Sequence, residues 1–473
     1  MKKLLIAAVF SVCLVSAASA DLTKRIGGII SQSSQKKVQF SIHIVNADSG
    51  KTVYSHNARE VLVPASVMKI ITTAAALKYL GPNYEYKTKV GLCGTTYGAS
   101  YGTSDTLVIM GSGDPLLGDK VTDAKYGREV GWIFEDITAV LKQNGVTNIK
   151  DIIVDSSIFD DQRVHPNWPR KELNRWYACE VSGLNFNGNC IDVSAKTIGG
   201  KVTVSIEPQT SFVSVVNKVK PISKGKSTIG SYRQPAKPNK IVVHGKCKKQ
   251  AGPFAVAIER PAAFFGYLLA ENFTKAGINT EGQLIEKSVA ADCNFRLLTE
   301  YSTPITDCLA RCNKDSFGLA AEALLKTIAA NSQPDRKNGS WAGGRELISK
   351  YLLELGIKKS EFYIDDASGL SRQNKLSANA ITKVLSNVYK SENWKLYKDS
   401  LAVGGVDGTI GKYFKEEKYK GKIFGKTGYI GGVKSFSGIC ITAGGDYIFS
   451  ILANNANGQT RKTINDIAKA IFN

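Results

Sequence analysis

The sequence predicts an α/β protein whose sheet and helices come from both ends of the chain, with a β-rich region inserted between them. Near the amino terminus, two short runs of alternating apolar residues surround a turn, and a segment of helical apolar spacing follows. Near the carboxyl terminus the pattern is strand, turn, strand and helix. The long segment between is rich in glycine and in short alternating strands, which is typical of an insertion with its own sheets.

The first twenty residues have the pattern of a secretory signal peptide. Lys2 and Lys3 precede an apolar run from Leu4 to Val15, and Ala18-Ser19-Ala20 ends it. The apolar run is shorter than the roughly 20 residues that span a bilayer. We therefore expect an exported, periplasmic and soluble mature protein that begins near residue 21.

The first hairpin and the helix after it are the clearest local elements. Residues Val38, Phe40, Ile42 and Ile44 alternate with polar residues, and "NADSG" supplies the turn before "KTVYSH". The following helix is predicted from the spacing of its apolar residues and is ended by Gly81-Pro82; those residues are Val67, Ile70, Ile71, Ala74 and Leu77. Residues 21–85 are assigned to the amino-terminal part of the main domain.

The inserted region is assigned to residues 86–257. It contains strand patterns such as "KVTVSIEP" and "KIVVHG" and one predicted helix; the inward residues of this helix are predicted to be Val130, Ile133, Phe134, Ile137, Val140 and Leu141. Helical spacing returns at "AAFFGYLLAENFTKAGI" and again between Leu319 and Ile328. Residues 258–473 are therefore assigned to the carboxyl-terminal part of the main domain, which closes with "FSGICITA", "YIFSILAN" and a last helix.

Composition limits the partners and cofactors. Lysine and arginine number 62 against 41 acidic residues, a net charge of +21, which favours polyanionic partners. Because no nucleic-acid motif occurs, we expect no nucleic-acid partner and instead peripheral contact with anionic cell-wall polymer or a membrane surface. The four histidines are not at metal-ligand spacing, so we predict no metal and no cofactor.

Cysteine usage leaves two interpretations open. Eight of the nine cysteines follow the predicted signal peptide, and an even number in an exported chain permits disulfides. A chain of this length can equally keep buried free thiols in its core. No pairing is assigned from the sequence.

A serine and a lysine three positions apart, Ser66 and Lys69, begin the first predicted helix. Residues i and i+3 share a helix face, so the two side chains can meet. A serine needs a base to become a nucleophile, and a lysine can serve only when burial or a second cation destabilises its ammonium. The alternative is that Ser66 is only a helix-starting hydroxyl.

The second cation has a candidate source in "FGKTGYIGGV". Lys426, Thr427 and Gly428 lie on a predicted strand near the end of the chain. The glycine would let an extended substrate approach the strand backbone, while the cation and the hydroxyl would hold a carboxylate. The alternative for Lys426 is a solvated cation at a strand end.

Taken together, these motifs resemble a known family. The segments "LVPASVMKI", "GSGDPLL", "WYACEVSGLNFNGNC", "DDASGLSR", "VGGVDGTI" and "GKTGYIGGV" occur in the order found in class C low-molecular-mass penicillin-binding proteins, and the resemblance covers nearly the whole mature chain. Members are exported D-alanyl-D-alanine carboxypeptidases and endopeptidases. The resemblance implies a penicillin-recognising, β-lactamase-like domain, an antiparallel sheet flanked by helices, interrupted by the β-rich insertion.

The resemblance also assigns roles to the motif residues. It makes Ser66 the acylated nucleophile, Lys69 its general base and Ser316 a proton relay, while Lys426 and Thr427 bind the terminal carboxylate of the peptide. The backbone N–H groups of Ser66 and Tyr429 would form the oxyanion hole. The implied partners are peptidoglycan muropeptides as substrates and β-lactam antibiotics as covalent inhibitors.

One position departs from the family pattern. The middle motif, Ser-x-Asn, maps to Ser316-Phe317-Gly318, and glycine has no amide to hydrogen-bond the substrate carbonyl. Losing one such preorganised donor is expected to cost about 10²–10³ in rate, and Gly318→Asn is expected to restore it. Asn313 does not replace the missing amide without losing Ser316, whose alternative role is to cap the next helix.

Two further loops match the family. They are "DDASGLSR" and "VGGVDGTI", and they are interpreted as structural first because Asp-Gly and Ser-Gly turns are common; the residues that would shape the site are Asp366, Ser368, Arg372, Asp407 and Thr409. The main hypothesis is an active serine DD-peptidase. The alternatives are a catalytically impaired relative that binds or scaffolds cell wall, and, with less support, a β-lactamase.

Overall fold

A computed structural model describes residues 21–94, 105–234, 236–290 and 292–472. The predicted signal peptide lies outside these residues. The chain divides into two compact units: the first holds residues up to Pro82, Leu309–Phe317 and Arg345–Asn473, and the second holds Asn83–Cys308 and Gly318–Gly344. Within the described ranges, no helix combines the length and the apolar character needed to cross a membrane.

The strands and helices are numbered in chain order. The strands are β1 (Gln39–Asn46), β2 (Thr52–His56), β3 (Val61–Leu62), β4 (Glu85–Gly94), β5 (Asp105–Met110), β6 (Asn148–Asp155), β7 (Cys190–Ile198), β8 (Lys201–Glu207), β9 (Ser214–Pro221), β10 (Thr228–Arg233), β11 (Lys240–Cys247), β12 (Gln250–Ala257), β13 (Asn279–Thr280), β14 (Leu284–Glu286), β15 (Asn294–Pro304), β16 (Phe362–Tyr363), β17 (Lys375–Ser377), β18 (Ala402–Val403), β19 (Ile423–Ile430), β20 (Val433–Thr442) and β21 (Gly445–Asn454). The helices are α1 (residues 21–30), α2 (Met68–Leu80), α3 (Lys120–Lys125), α4 (Trp132–Gln143), α5 (Pro261–Ala276), α6 (Ile305–Lys314), α7 (Gly318–Asn331), α8 (Trp341–Glu354), α9 (Ala378–Tyr389), α10 (Trp394–Ser400) and α11 (Thr460–Ala470).

The first unit is built on a six-stranded antiparallel sheet of order β18-β19-β20-β21-β1-β2. Its centre joins the two ends of the sequence, because β1 pairs with β21 over its whole length. The predicted hairpin, the helix that Gly81 ends, and the closing order of strand, turn, strand and helix are all confirmed.

Helices cover both faces of this sheet. Alternate side chains of a strand point to opposite faces, so Ile42 and Ile44 of β1 pack in a core with Ile464 and Ile467 of α11. His43, between them, faces the other side and bonds Thr382 of α9 with 2.6 Å between Nδ1 and Oγ1. The predicted antiparallel sheet flanked by helices is therefore confirmed.

The second unit contains the β-rich insertion and extends beyond it. Its largest sheet has the order β13-β6-β5-β4-β15, and β14 also pairs with β6. The sequence places the end of the insertion at residue 257, whereas this unit continues to Cys308, because β15 pairs with β4 and α5 packs into the same apolar core as α4. The helical spacing of α5 shows an apolar face but not the sheet that the face covers.

Two details of this unit were not available from the sequence. Cys93 on β4 and Cys293, the residue before β15, form a disulfide across 200 residues of chain, and six other cysteines of the described ranges are buried thiols. Val130 was predicted to point inward, but it is 40% exposed because α4 begins only at Trp132.

Candidate active site

The serine and the lysine of the first motif lie together in the first unit. Ser66 sits in a 3₁₀ turn, Ala65–Val67, that leads directly into α2. Lys69 Nζ is 3.3 Å from Ser66 Oγ and donates a 2.7 Å hydrogen bond to the carbonyl of Ser368. The serine hydroxyl is half-buried and the lysine is 2% exposed, so the pair has the geometry of a nucleophile and its base.

The burial of Lys69 follows from the composition of α2. Every residue from Met68 to Leu77 is buried, because the helix is apolar on all sides and is enclosed by the unit around it. An ammonium in such surroundings is costly unless it is paired or loses its proton. Two oxygens that accept hydrogen bonds from Lys69 Nζ are the Ser66 hydroxyl and the Ser368 carbonyl.

Lys426 brings a second cation into this buried region. It lies on β19, is 0% exposed, and donates a 2.9 Å hydrogen bond to the carbonyl of Thr427. Burial, and next the charge of Lys69, hold the pKa of Lys426 well below its usual range. The two buried lysines are therefore coupled, and the repulsion between their ammonium groups favours a state with one proton fewer.

Strand β19 lies directly against the serine. A side chain at Gly428 would place its Cβ 3.0 Å from Ser66 N and 2.7 Å from Pro64 O, so only glycine permits this approach. Ser435 Oγ on β20 donates a 2.6 Å hydrogen bond to the same Pro64 carbonyl. Arg461, near the start of α11, donates a 2.9 Å hydrogen bond to the Gly428 carbonyl and so holds β19 in place.

Thr427 and Tyr429, the other side chains of the second motif, have different surroundings. Thr427 Oγ1 donates to Thr409 Oγ1 at 2.9 Å, which links the motif to the "VGGVDGTI" loop. In the same loop, Asp407 pairs with Lys314 at 2.5 Å and accepts a hydrogen bond from the Val403 N–H. The Tyr429 side chain is 69% exposed.

The "DDASGLSR" loop encloses the nucleophile on another side. Asp366 is fully buried and accepts hydrogen bonds from the N–H groups of Gly369 and Ser371 at 2.8 and 2.7 Å. Gly369 has φ +82°, and a Cβ there would lie 1.9 Å from the Ala65 carbonyl oxygen. Ala65 itself has φ +49°, a conformation that is unfavourable for alanine. The loop therefore packs directly against the backbone immediately before Ser66. Arg372, from the end of the loop, donates to the Gly431 carbonyl.

Ser316 lies on the turn between α6 and α7. Its φ is +62°, and among the described residues no hydrogen bond to its hydroxyl is found, so it does not act as the helix cap that was the alternative. Two residues of this turn region, Cys312 and Asp315, act electrostatically on Lys426. The turn that carries Ser316 is thus close to the lysine pair, and the hydroxyl itself is available.

Asn313 does not supply the missing amide of the middle motif. It is 0% exposed, and its Nδ2 donates to Ser400 Oγ at 2.9 Å and to Thr73 Oγ1 at 3.3 Å. Thr73 lies on α2 one turn beyond Lys69, and Ser400 ends α10. Asn313 therefore has a structural position in the core of the first unit.

The second unit gives a structural reason for the glycine at position 318, where the family pattern has asparagine. A Cβ at Gly318 would lie 3.1 Å from the carbonyl oxygen of Tyr177, which belongs to the "WYACEVSG" segment. The glycine thus lets a 3₁₀ turn, Trp176–Ala178, approach the start of α7 closely.

We expect Gly318→Asn to lower the melting temperature, since its Cβ must displace the Tyr177 carbonyl at a cost of about 1 kcal/mol. Gly318→Ala adds the same Cβ without the amide and is the matched control. If the amide helps catalysis, the asparagine variant acylates about 10–100 times faster than the alanine variant. Equal rates would mean that the missing amide is not what limits this enzyme.

Lys426→Met tests the lysine pair. The variant is expected to lose about 10²-fold in kcat/KM, because it lacks the cation for the substrate carboxylate, and yet to melt at a higher temperature. The unfolded chain keeps the Lys426 proton up to about pH 10.5, while the folded protein releases it at lower pH, so wild-type stability rises with pH in this window. A melting series against pH should show a flatter curve for the variant; an identical slope would contradict the lowered pKa.

Three positioning residues were not identified from the sequence. Gly369 and Ser435 contact the backbone immediately before Ser66, and Arg461 holds the backbone of β19 at Gly428. The Ser-Gly turn signal pointed to the loop of Gly369 but not to its contact. Nothing in the local sequence of Ser435 or Arg461 distinguishes them from ordinary strand and helix residues.

Comparison with known proteins identifies related chains. The model of the family described as "D-Ala-D-Ala carboxypeptidase 3 (S13) family" matches residues 22–472. A D-alanyl-D-alanine carboxypeptidase from Actinomadura sp. (strain R39) is 26% identical, with 96% of this chain and 86% of that protein covered.

Solved structures agree with this family match at the level of the fold. Penicillin binding protein 4 (dacB) from Haemophilus influenzae has a TM-score of 0.79 at 21% identity, with 94% of this chain and 98% of that one covered. The same protein complexed with a novel β-lactam has a TM-score of 0.74 at 20% identity, with the same coverage.

Proposed function

Because the chain belongs to the D-Ala-D-Ala carboxypeptidase 3 (S13) family of penicillin-binding serine carboxypeptidases, we propose that it acts on peptidoglycan peptides through an acyl-enzyme on Ser66. The observation that carries this proposal is the 3.3 Å contact between Lys69 Nζ and Ser66 Oγ, with Lys426 buried beside it. The predicted signal peptide adds that the enzyme is exported to the periplasm.

In the acylation step, neutral Lys69 takes the proton of the Ser66 hydroxyl as Oγ attacks the carbonyl carbon of the penultimate D-alanine. The C–N bond then breaks, the peptide becomes an ester of Ser66, and the leaving D-alanine amine takes up the proton. Ser316, on the turn that follows Asp315, is the proposed relay for that proton. Water completes the cycle by hydrolysing the ester.

Binding and charge stabilisation come from β19. Lys426 and the Thr427 hydroxyl are positioned to hold the terminal carboxylate, since both lie on the strand that packs against Ser66. Gly428 keeps the strand backbone close to the serine, so the N–H groups of Ser66 and Tyr429 are the proposed oxyanion hole. A β-lactam would acylate the same hydroxyl and act as a covalent inhibitor.

A second candidate is a catalytically impaired relative that binds cell-wall peptides or scaffolds other wall proteins. One observation favours it: Gly318 stands where the family pattern has asparagine, and Asn313 does not replace that amide because it is held in the core. Such a protein would still be acylated by penicillin but would turn over peptide slowly.

The experiment that separates the two candidates measures peptide turnover, as release of D-alanine from a linear peptide and as release of monomers from a cross-linked dimer. The purified protein is incubated with a pentapeptide ending in D-Ala-D-Ala and with a cross-linked dimer, and Ser66→Ala is the control. We expect catalytic release from at least one substrate by the wild type and none by the variant. Stoichiometric acylation without turnover would favour the impaired relative, and turnover that survives in Ser66→Ala would contradict both.

A further inference from the structure

The second unit gathers the lysines of a long basic segment at one end of a small sheet. Strands β9 and β11 are parallel, with Pro221 opposite Cys247 at their carboxyl ends, and β10 begins at the same level with Thr228 opposite Lys246. The connection 222–227 and the turn 248–249 therefore leave the sheet side by side. Two hydrogen bonds join them: Ile222 N–H to Cys247 O and Lys248 N–H to Ser227 Oγ, both at 3.0 Å.

This end of the sheet is defined here as the basic tip. Its seven lysines are all exposed, and within the described part of the chain none of them forms an ion pair; they are Lys218, Lys220, Lys224, Lys226, Lys246, Lys248 and Lys249. The segment from 218 to 249 contains no acidic residue. Because no charge of this segment balances them, the lysines form a strongly positive surface.

A neighbouring hairpin adds an apolar residue. Strands β7 and β8 form a hairpin, and Thr197 near its turn donates hydrogen bonds to the carbonyls of Lys249 and Cys247 at 2.9 and 3.1 Å. The next residue, Ile198, is 62% exposed and is followed by Gly199-Gly200. An exposed isoleucine thus stands at a chain reversal beside the lysines of the basic tip.

We propose that the basic tip binds the surface of an anionic lipid bilayer, with Ile198 entering the headgroup region. Lysines near such a surface each add attraction, and stable peripheral binding needs a second, apolar contribution. A lipid surface uses both the lysines and Ile198, whereas a cell-wall polyanion would use the lysines alone. The interaction does not involve Ser66 and goes beyond the proposed catalytic function.

The expected effects are large enough to measure. Each lysine contributes about fivefold to binding near an anionic surface, so neutralising four of them should weaken binding by at least about a hundredfold. Loss of the isoleucine contact should weaken it by about tenfold. Raising the salt concentration from about 0.1 M to about 1 M shortens the Debye length from about 10 Å to about 3 Å and should release the protein.

The test is cosedimentation of the full chain with vesicles of phosphatidylcholine alone, vesicles of phosphatidylcholine and phosphatidylglycerol, and purified peptidoglycan sacculi. The tip variant is K224Q/K226Q/K248Q/K249Q. Its matched control, K142Q/K150Q/K275Q/K287Q, removes four exposed lysines of the same unit that form no ion pair among the described residues. Ile198→Ser tests the apolar contact, and penicillin labelling of Ser66 checks that each variant is folded.

The proposal predicts salt-sensitive binding to the anionic vesicles only, lost in the tip variant, weakened in Ile198→Ser and kept in the control. Equal losses in the tip variant and the control would overturn it, because net charge alone would then explain the binding. Binding to sacculi without binding to anionic vesicles would also overturn it and identify a cell-wall polyanion as the partner. If the tip variant fails the labelling check, the salt dependence of wild-type binding to the anionic vesicles is the test instead. Binding that is insensitive to salt contradicts the proposal.

Discussion

Lys69→Met is expected to lower the rate of acylation by about 10⁴-fold, whereas Ser66→Ala, which lacks the nucleophile, is expected not to be acylated at all. In the proposed mechanism Lys69, whose Nζ is 3.3 Å from Ser66 Oγ, is the base that activates the hydroxyl, so the two residues would act as one unit. Burst kinetics with a chromogenic β-lactam measure the acylation rate of each variant.

Thr72→Val is the control for this experiment. Thr72 lies on the same helix and donates a 2.8 Å hydrogen bond to Ala367 O, so its loss loosens the same loop without removing the base. We expect a change of less than about tenfold in this variant. A comparable loss in Thr72→Val would mean that Lys69 acts only by positioning the loop.

Gly369→Ala is expected to reduce acylation by about 10²–10³-fold and to cost about 1–3 kcal/mol in the free energy of unfolding. The added Cβ would lie 1.9 Å from the Ala65 carbonyl oxygen, so the backbone that carries Ser66 must move. Acylation kinetics and thermal denaturation give the two numbers on the same preparation.

Gly81→Ala is the control that separates backbone strain from the steric contact between residues 369 and 65. Gly81 has φ +83°, nearly the value of Gly369, but a Cβ there meets nothing within 4 Å. The control should therefore lose stability through backbone strain and keep its acylation rate. If Gly369→Ala also kept its rate, the contact with Ala65 would have no role in placing the serine.

The sequence predicted those parts of the site that depend on local order. Ser66 and Lys69 are three positions apart on an apolar helix, so helical periodicity alone brings them together and buries the lysine. The closing strands of the sheet followed from alternation and from the Gly444-Gly445-Asp446 turn. Both features were confirmed by α2 and by the pairing of β20 with β21.

The sequence did not predict the parts of the fold and of the site that depend on tertiary contacts. Gly369 matters because of the Ala65 carbonyl, more than 300 residues earlier, and Gly318 because of the Tyr177 carbonyl, and neither neighbour is visible in a local pattern. The end of the insertion was placed too early for the same reason, since the partners of β15 are set by long-range pairing. The Cys93–Cys293 disulfide follows from that pairing as well.

The most direct test of the account is to label the purified protein with fluorescent penicillin, digest it and locate the adduct by mass. The account predicts one covalent adduct per chain, on the peptide that contains Ser66, and no labelling of Ser66→Ala. An adduct on any other residue, or no adduct at saturating penicillin in a protein shown to be folded, would contradict the assignment of Ser66 as the nucleophile.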